Sequence, residues 1–255
     1  MTKKLYFDDP LATEFTAEVT ETRTLADGRF GVILPATFFY PTSGGQEYDT
    51  GTIGLAHVVD VFADADEIVH VLDREIAVGT YPAKIDWERR FRHTQHHTGQ
   101  HIFSAAFVAA FGAATLSSHI SGEAPSTIDF DVNTLSADDI ARVEQFANQA
   151  VFENRAVTTY DVDDAESVPF RRPPKVSGRI RVVEVDGFDY SACGGTHCLH
   201  TGMVGLLKIV RTERINHKIR IHFVAGWQAL EFLQQVQRIS QTVAAELDTG
   251  VEGLS

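Results

Sequence analysis

Two pairs of histidine and cysteine residues are spaced so that each pair could bind one metal ion. His97 and His101 lie four positions apart, so in a helix both imidazoles leave the same face one turn apart. Far downstream, Cys193 and His197 repeat the four-residue spacing, with two glycines between them. Two such pairs suit a tetrahedral zinc site, although they lie 92 residues apart and their meeting is an inference.

The residues around the first pair indicate which metal chemistry is favoured. A metalloprotease motif has Glu directly after its first histidine, whereas Thr98 stands there, so peptidase activity is disfavoured. Carboxylates are scarce in the immediate surroundings, and a zinc-bound water, with no side-chain base, is therefore the expected nucleophile. That chemistry suits ester hydrolysis. A site closed by four protein ligands would instead be structural, and the sequence leaves this alternative open.

The composition is that of a globular protein with a substantial core. The 255 residues are 44% hydrophobic and 10% aromatic, which argues against disorder and allows one large or two moderate domains. No apolar run approaches the ~20 residues of a membrane-spanning helix, and no apolar stretch follows Lys3 and Lys4 as in a signal peptide. We expect a cytoplasmic protein without membrane contact, whose two cysteines form no disulfide.

The charge is unevenly distributed along the chain. A formal net charge of −13 argues at first sight against a nucleic-acid partner. Residues 171–220, however, contain ten Lys or Arg and four acidic residues, which gives a net charge of +6. The basic residues of this segment lie on both sides of Cys193. Ordinary solvated strands would explain this pattern equally well. Taken with the predicted metal site, it favours a surface that attracts anions.

Residues 5–86 predict β structure. Short alternating or β-branched runs are separated by turn signals, and their rhythm fits a small barrel: 14–25, 30–37, 52–62, 67–72 and 76–85. The segment from Gly44 to Gln46 lies between two of these runs. Its two glycines allow the backbone to approach a partner closely, although a plain hairpin turn is the simpler interpretation.

After Asp86 the pattern becomes helical, with a helix predicted from Trp87 to Phe111 and Gly112 as its stop. Gly99, between the two histidines, could let another segment approach there. Further helices are predicted at 136–154, where Ser136 is a good N-cap, and at 226–247. The expected fold is α+β: an N-terminal small β-barrel domain, 1–86, and an α/β domain with an antiparallel sheet and packed helices, 87–255.

Three motifs in this order resemble the editing domain of alanyl-tRNA synthetase, and above all the free-standing alanyl-tRNA editing proteins called AlaX. They are His97-Thr-Gly-Gln-His101 followed by apolar helix, Cys193-Gly-Gly-Thr-His197, and Thr201-Gly-x-Val-Gly-x-x-Lys208-Ile. The stretch Tyr40-Pro-Thr-Ser-Gly-Gly-Gln46, with Asp49-Thr-Gly51, also resembles the N-terminal barrel of the longer AlaX forms. The resemblance covers nearly the whole chain.

The resemblance implies a hydrolase that deacylates mischarged Ser-tRNA(Ala), and also Gly-tRNA(Ala), in trans, with no obligate protein partner expected. By motif match, one Zn²⁺ per chain would be bound by His97, His101, Cys193 and His197, with Cys198 as a competing ligand. Ser117 and Ser118 fall where the family places side chains that bind the serine hydroxyl. The full predicted substrate-binding set is Ser117, Ser118, Gln100, Gly44, Gly45 and Gln46, and the predicted tRNA-binding set is Arg171, Arg172, Lys175, Arg211 and Arg214.

Two alternatives from other functional classes remain open at the level of sequence. A zinc-stabilised RNA-binding module would keep the fold without activity. A zinc hydrolase of small esters would act without tRNA. Composition does not separate these possibilities, and the motif resemblance favours the deacylase.

Overall fold

The computed structural model describes residues 1–175 and 178–254. Its helices are α1 (Trp87–Phe111), α2 (Ala137–Phe152) and α3 (Gly226–Glu246). The strands before α1 are β1 (Lys3–Lys4), β2 (Glu14–Val19), β3 (Glu21–Thr24), β4 (Phe30–Ile33), β5 (Ala36–Thr37), β6 (Gly51–Ile53), β7 (Ala56–Asp64), β8 (Glu67–Leu72) and β9 (Gly79–Ile85). The strands after α1 are β10 (Thr115–His119), β11 (Ser126–Phe130), β12 (Val157–Val162), β13 (Ile180–Val185), β14 (Asp189–Ala192), β15 (Leu207–Ile215) and β16 (Lys218–Ala225). The predicted α+β class is confirmed.

The N-terminal strands form an open sheet rather than the closed barrel that the sequence predicted. Seven antiparallel strands pair in the order β2-β9-β6-β7-β8-β4-β3. Its two edge strands follow one another in the chain with Thr20 between them, and no ladder joins β2 to β3 in the described part of the chain. Alternating residues predict strands, but closure depends on the tilt and stagger of every strand together, which local patterns do not encode.

Two further antiparallel sheets lie in the rest of the chain. One has the order β10-β11-β16-β15 and the other the order β12-β13-β14. The first packs against α1 and α3, and β14 of the second also contacts α1. The loop that follows β14 carries the Cys193 motif, so this sheet places the second predicted ligand pair beside the helix that carries the first.

Helix α1 lies at the centre of the molecule and is buried on every side along its middle. Asp86 caps its N-terminus by accepting from the Arg89 backbone N–H at 3.3 Å, and Gly112 ends it in the left-handed region, with φ 63°. Residues 93–107 are all buried. A side chain added at Gly99 would lie 2.6 Å from Leu207 of β15, so this glycine lets a strand approach the helix closely.

The hydrophobic core has two main clusters of buried side chains. One is drawn from residues 6–85 and the other from residues 102–225. Arg90 in α1 and Asp49 in the loop before β6 form a fully buried ion pair between the two regions. The domain boundary near residue 86 stays a prediction. No helix among the described residues is both long and apolar enough to span a membrane.

Candidate metal centre

Four side chains from two distant segments meet in one cluster. The ligand atoms of His97, His101, Cys193 and His197 all lie within 4.8 Å of one another. The three histidines are buried and Cys193 is half-buried. Adjacent turns of α1 supply the first two residues, and the loop after β14 supplies the others. The structure thus brings together all four residues of the predicted ligand set, and the cluster could hold a metal ion.

The distances within the cluster match the size of a tetrahedral site. Cys193 Sγ lies 3.3 Å from His97 Nε2 and 3.4 Å from His197 Nε2. Around an ion with metal–sulfur and metal–nitrogen bonds of ordinary length, the separation between a sulfur and a nitrogen ligand is about 3.5 Å. The cluster therefore needs little rearrangement to close around an ion.

Each imidazole presents Nε2 to the cluster and has its Nδ1 next to an oxygen acceptor. His97 Nδ1 donates to Gln46 Oε1 at 2.7 Å, and His101 Nδ1 lies 3.3 Å from Asp189 Oδ2. His197 Nδ1 lies 3.3 Å from Thr98 Oγ1, whose own proton is donated to Thr94 O. Such partners fix the tautomer that leaves the Nε2 lone pair free to bind a metal.

The charges of the cluster favour a thiolate. Burial alone raises the pKa of Cys193, but His97 and His197 beside it lower that pKa well below the usual value of a thiol. Burial lowers the pKa of His101, but the neighbouring Asp189 and Cys193 outweigh burial and raise the pKa to about 9. A cation entering the cluster therefore replaces a proton on His101.

Cys198, which the sequence offered as a competing ligand, lies outside the cluster. It is almost completely buried, and burial raises the pKa of its thiol to about 12. A thiol with this pKa stays protonated at neutral pH and is a poor ligand.

The other two histidines of the α1 segment also take no part in the cluster. His96 is hydrogen-bonded through Nδ1 to Arg92 O and through Nε2 to the Ala225 backbone N–H, at 2.8 and 3.1 Å. His93 is fully buried, and its Nε2 lies 3.6 Å from Glu47 Oε2. Helical spacing alone did not distinguish these two from the ligand pair.

Gln46, predicted to bind substrate, contacts the metal cluster instead of the cavity surface. Its side chain is fully buried, and Oε1 accepts from His97 Nδ1 and, at 3.2 Å, from the Thr196 backbone N–H. Its Nε2 donates to Thr196 Oγ1 at 3.0 Å. Gln46 thus ties the loop before β6 to both segments that carry the ligands.

The two glycines before Gln46 bring this loop against strand β10. Gly45 has φ 87°, and a side chain there would lie 2.6 Å from the Ser118 carbonyl oxygen. The Ile120 backbone N–H donates to Gly45 O at 2.6 Å. Gly44 lines a cavity, and Ser43 and Gln46 pair across the two glycines, so the structure has both the simple hairpin turn and the close approach of this backbone.

A cavity of about 560 Å³ opens beside the cluster. Six positively charged side chains line it, and none of its described lining residues is Asp or Glu; the six are Lys4, Arg171, Arg172, Lys175, Arg179 and Arg181. Three cluster residues and six predicted site residues lie in its wall: His97, His101 and Cys193, and Gly44, Gln100, Ser118, Arg171, Arg172 and Lys175. The cavity is therefore suited to an anion whose reacting group reaches the metal cluster.

Besides Gly45, Gln46 and His197, three more predicted site residues are not part of this cavity wall: Ser117, Arg211 and Arg214. Ser117 donates to Asp129 Oδ2 at 2.8 Å. Arg211 is hydrogen-bonded to His222 at 2.9 Å, and Arg214 to the Asn216 carbonyl at 3.3 Å. Ser117 is separated from Ser118 because neighbouring side chains of a strand leave on opposite faces.

Several cavity residues were not singled out from the sequence. Arg181 donates to the carbonyls of Cys193 and Gly195 at 2.8 and 3.2 Å, and so supports the ligand loop. Thr115 donates to Ser104 Oγ, which also accepts from Gln100. The basic run 171–181 was a signal for Arg179 and Arg181, whereas no local pattern marked Thr115 or Phe7.

Comparison with known proteins relates the chain to aminoacyl-tRNA synthetases. Residues 180–221 match the family described as the threonyl and alanyl tRNA synthetase second additional domain. The chain is 34% identical over 272 residues to an alanine–tRNA ligase of Ignicoccus hospitalis, covering 99% of the chain and 29% of the ligase. The predicted resemblance is confirmed. Similar matches are the alanine–tRNA ligases of Thermococcus kodakarensis and Archaeoglobus fulgidus, 34% and 35% identical over 95% and 96% of the chain and 28% of each ligase.

The extent of these matches limits what is transferred from the relatives. The chain aligns over nearly its whole length, and so both the N-terminal sheet and the metal cluster lie in the shared region. It spans less than a third of the length of these ligases. The similarity thus relates the chain to one part of these ligases.

Proposed function

We propose that this protein is a zinc-dependent deacylase of mischarged tRNA(Ala), acting in the cytoplasm on Ser-tRNA(Ala) and Gly-tRNA(Ala). The observation that carries the proposal is a cavity lined by six cations and no described acid, which opens onto a cluster of one thiolate and three imidazoles. Its similarity to alanine–tRNA ligases supports tRNA(Ala) as the RNA.

Zinc is the metal that suits this donor set, because one sulfur and three nitrogens in a compact cluster are typical of its sites. Bound there, zinc would act as a Lewis acid toward the ester or the attacking water. The protein's own contribution is to hold the three Nε2 atoms in place through Gln46, Asp189 and Thr98.

The cavity wall supplies groups for binding and orienting the aminoacyl end. Ser118 and Gln100 lie on the wall near the cluster, where polar groups can bind the hydroxyl of a seryl ester. A site that bonds this hydroxyl disfavours alanine, because alanine leaves the buried polar group unpaired. Arg172 and Lys175 line the same cavity, and their positive charges would bind phosphates of the RNA.

Release of labelled serine from Ser-tRNA(Ala), with Ala-tRNA(Ala) in parallel, tests the proposal. We expect the zinc-loaded protein to release serine rapidly and spare alanine. Cys193→Ala removes the thiolate and should reduce release to the spontaneous rate. Cys198→Ala is the matched control, because it removes a buried thiol one residue beyond His197 that lies outside the cluster.

The outcomes separate the proposed function from its alternatives. No release by protein shown to contain zinc would contradict the deacylase and favour an RNA-binding module. Turnover of serine ethyl ester as fast as that of Ser-tRNA(Ala) would favour a hydrolase of small esters. Equal loss of activity in both cysteine variants, with equal metal content, would contradict the assignment of Cys193 as a ligand.

A further inference from the structure

Phe7 is placed where it can contact a ligand in the cavity. It ends a short 3-10 helix, Leu5–Phe7, near the N-terminus, and its ring lies 3.9 Å from the position that a side chain at Gly194 would occupy. Among the described lining residues of the cavity, it is the one Phe, Tyr or Trp. A segment from the start of the chain thus forms a wall beside the Cys193 loop.

Two cations lie over this ring. The guanidinium carbon of Arg181 is 4.5 Å from the ring centroid, and Lys4 Nζ is 5.7 Å from it. Arg181 is held in place by its hydrogen bonds to the carbonyls of Cys193 and Gly195. An aromatic ring with fixed cations beside it is the combination that binds single-stranded nucleic acid, since the ring stacks on a base and the cations attract phosphate.

A second cavity, of about 420 Å³, continues from the first. The two share Phe7, Arg179 and Arg181, and the second also contains Tyr160 of β12, whose side chain is 37% exposed. Asp8 and Asp161 line this second cavity as well. Asp161 forms an ion pair with Arg179 at 2.8 Å and so offsets its positive charge. The second cavity is therefore less suited to a phosphate than the first and better suited to an uncharged base.

The covalent structure of an aminoacyl-tRNA determines which of its parts would lie in which of the two cavities. The ester joins the amino acid to the terminal ribose, so a carbonyl at the metal cluster leaves the ribose and its base at the neighbouring wall. We propose that Phe7 stacks on the terminal base of an unpaired RNA 3′ end, with Arg181 at its phosphate and the preceding nucleotide beside Tyr160. The inference rests on the proposed function and adds the positions at which the last two nucleotides of the RNA bind.

Binding of short uncharged RNA tests these positions without requiring catalysis. The probe is a fluorescein-labelled single strand of four nucleotides, compared with the same strand whose last nucleotide has no base. By fluorescence anisotropy, Phe7→Leu should weaken binding of the complete strand by about 10-fold, because one stacked base is lost. The strand without its terminal base should bind wild type and variant equally.

Three further variants control the experiment. Phe7→Trp should restore binding, because it restores an aromatic face. Tyr160→Leu should weaken both strands, because its site takes an inner nucleotide. Phe152→Leu removes a 78% exposed aromatic of α2 that lies at neither cavity, and it should bind both strands as wild type does. Unchanged zinc content in every variant excludes a folding defect.

The outcomes distinguish this inference from the proposed function. Serine release by wild type together with unaltered RNA binding by Phe7→Leu would overturn the inference and leave the deacylase standing. Base-dependent binding that Phe7→Leu abolishes, without serine release by wild type, would support the inference and contradict the deacylase. Failure of wild type to discriminate the two strands would also overturn the inference.

Discussion

Ser117 and Ser118 are neighbours in the chain, but their hydroxyls lie in different surroundings. Ser118 lines the cavity beside the metal cluster. Ser117 donates to Asp129, whose carboxylate also binds Lys218 and Arg220. The hydrogen bond from Arg220 is the main cause that lowers the pKa of Asp129, so this group stays ionised and holds Ser117 away from the cavity.

We predict that Ser118→Ala reduces the discrimination between Ser-tRNA(Ala) and Ala-tRNA(Ala) by about 10-fold, which corresponds to one lost hydrogen bond to the serine hydroxyl. Ser117→Ala is the matched control and should leave the ratio unchanged. Hydrolysis rates of both substrates under single-turnover conditions measure the effect. If only Ser117→Ala changed the ratio of the two hydrolysis rates, Ser117 rather than Ser118 would bind the serine hydroxyl.

Sequence reasoning at the scale of single residues succeeded where residue type and spacing sufficed. The two four-residue pairs of imidazole and thiolate predicted a metal site, and the family resemblance separated His97 and His101 from the neighbouring His93 and His96. Ser117 could not be separated from Ser118, since a bulge in β10 between Thr115 and Ser117 decides which side chains face the cavity. Arg90 gave no sign of its complete burial, because its partner Asp49 lies 41 residues away.

At the scale of elements, the loop after β14 carries two of the ligands and, between them, two glycines in different surroundings. A side chain at Gly195 would collide with the imidazole of His97, and it would also lie 3.0 Å from Gln46 Oε1. At Gly194 the nearest atom is 3.9 Å away, which is ordinary contact. Neither glycine has a positive φ, so alanine at either position tests space rather than backbone strain.

We therefore predict that Gly195→Ala weakens zinc binding by at least about 10-fold, because a ligand imidazole and its hydrogen-bond partner must move. Gly194→Ala should retain the affinity of the wild type. Competition with a chromophoric chelator measures the affinity, and circular dichroism verifies that both variants are folded. Equal affinities for the two variants would mean that the loop shifts without disturbing His97.

Helices were predicted better than the sheet that precedes them. The ends of α1 and α2 are determined by local signals: Asp86 and Gly112 for α1, and the capping box of Ser136 with Asp139 for α2. Whether the N-terminal sheet closes into a barrel depends on the tilt and stagger of all its strands, and no residue pattern marks this. Strand β14 was also missed, because it has four residues and includes Asp189, which supports His101.

At the scale of the whole molecule, the N-terminal region contributes to a centre whose ligands all come from residues after 96. The loop between β5 and β6 carries Gln46, which is hydrogen-bonded to His97, and Asp49, which binds Arg90. Arg90 also donates to the carbonyls of Pro10 and Phe38 at 2.9 and 2.5 Å. This buried network fixes the N-terminal segments and the metal-binding helix relative to one another.

We predict that Asp49→Asn lowers the free energy of unfolding by about 3–5 kcal/mol, because it leaves the Arg90 guanidinium buried without its counter-charge. Since Gln46 lies in the same loop, zinc affinity should fall as well, by about 10-fold. Urea denaturation of the zinc-free protein and chelator competition measure the two effects separately.

Glu14→Gln is the control for the Asp49 variant, because Glu14 forms an ion pair with Lys84 at 3.0 Å in which both side chains are well exposed. Solvent screens such a pair, so the free energy of unfolding should hardly change. If Asp49→Asn lowers stability but not zinc affinity, the ion pair joins the two regions without positioning Gln46. If neither quantity changes, Arg90 must find another counter-charge, and the N-terminal region would then not be anchored to the metal centre through this ion pair.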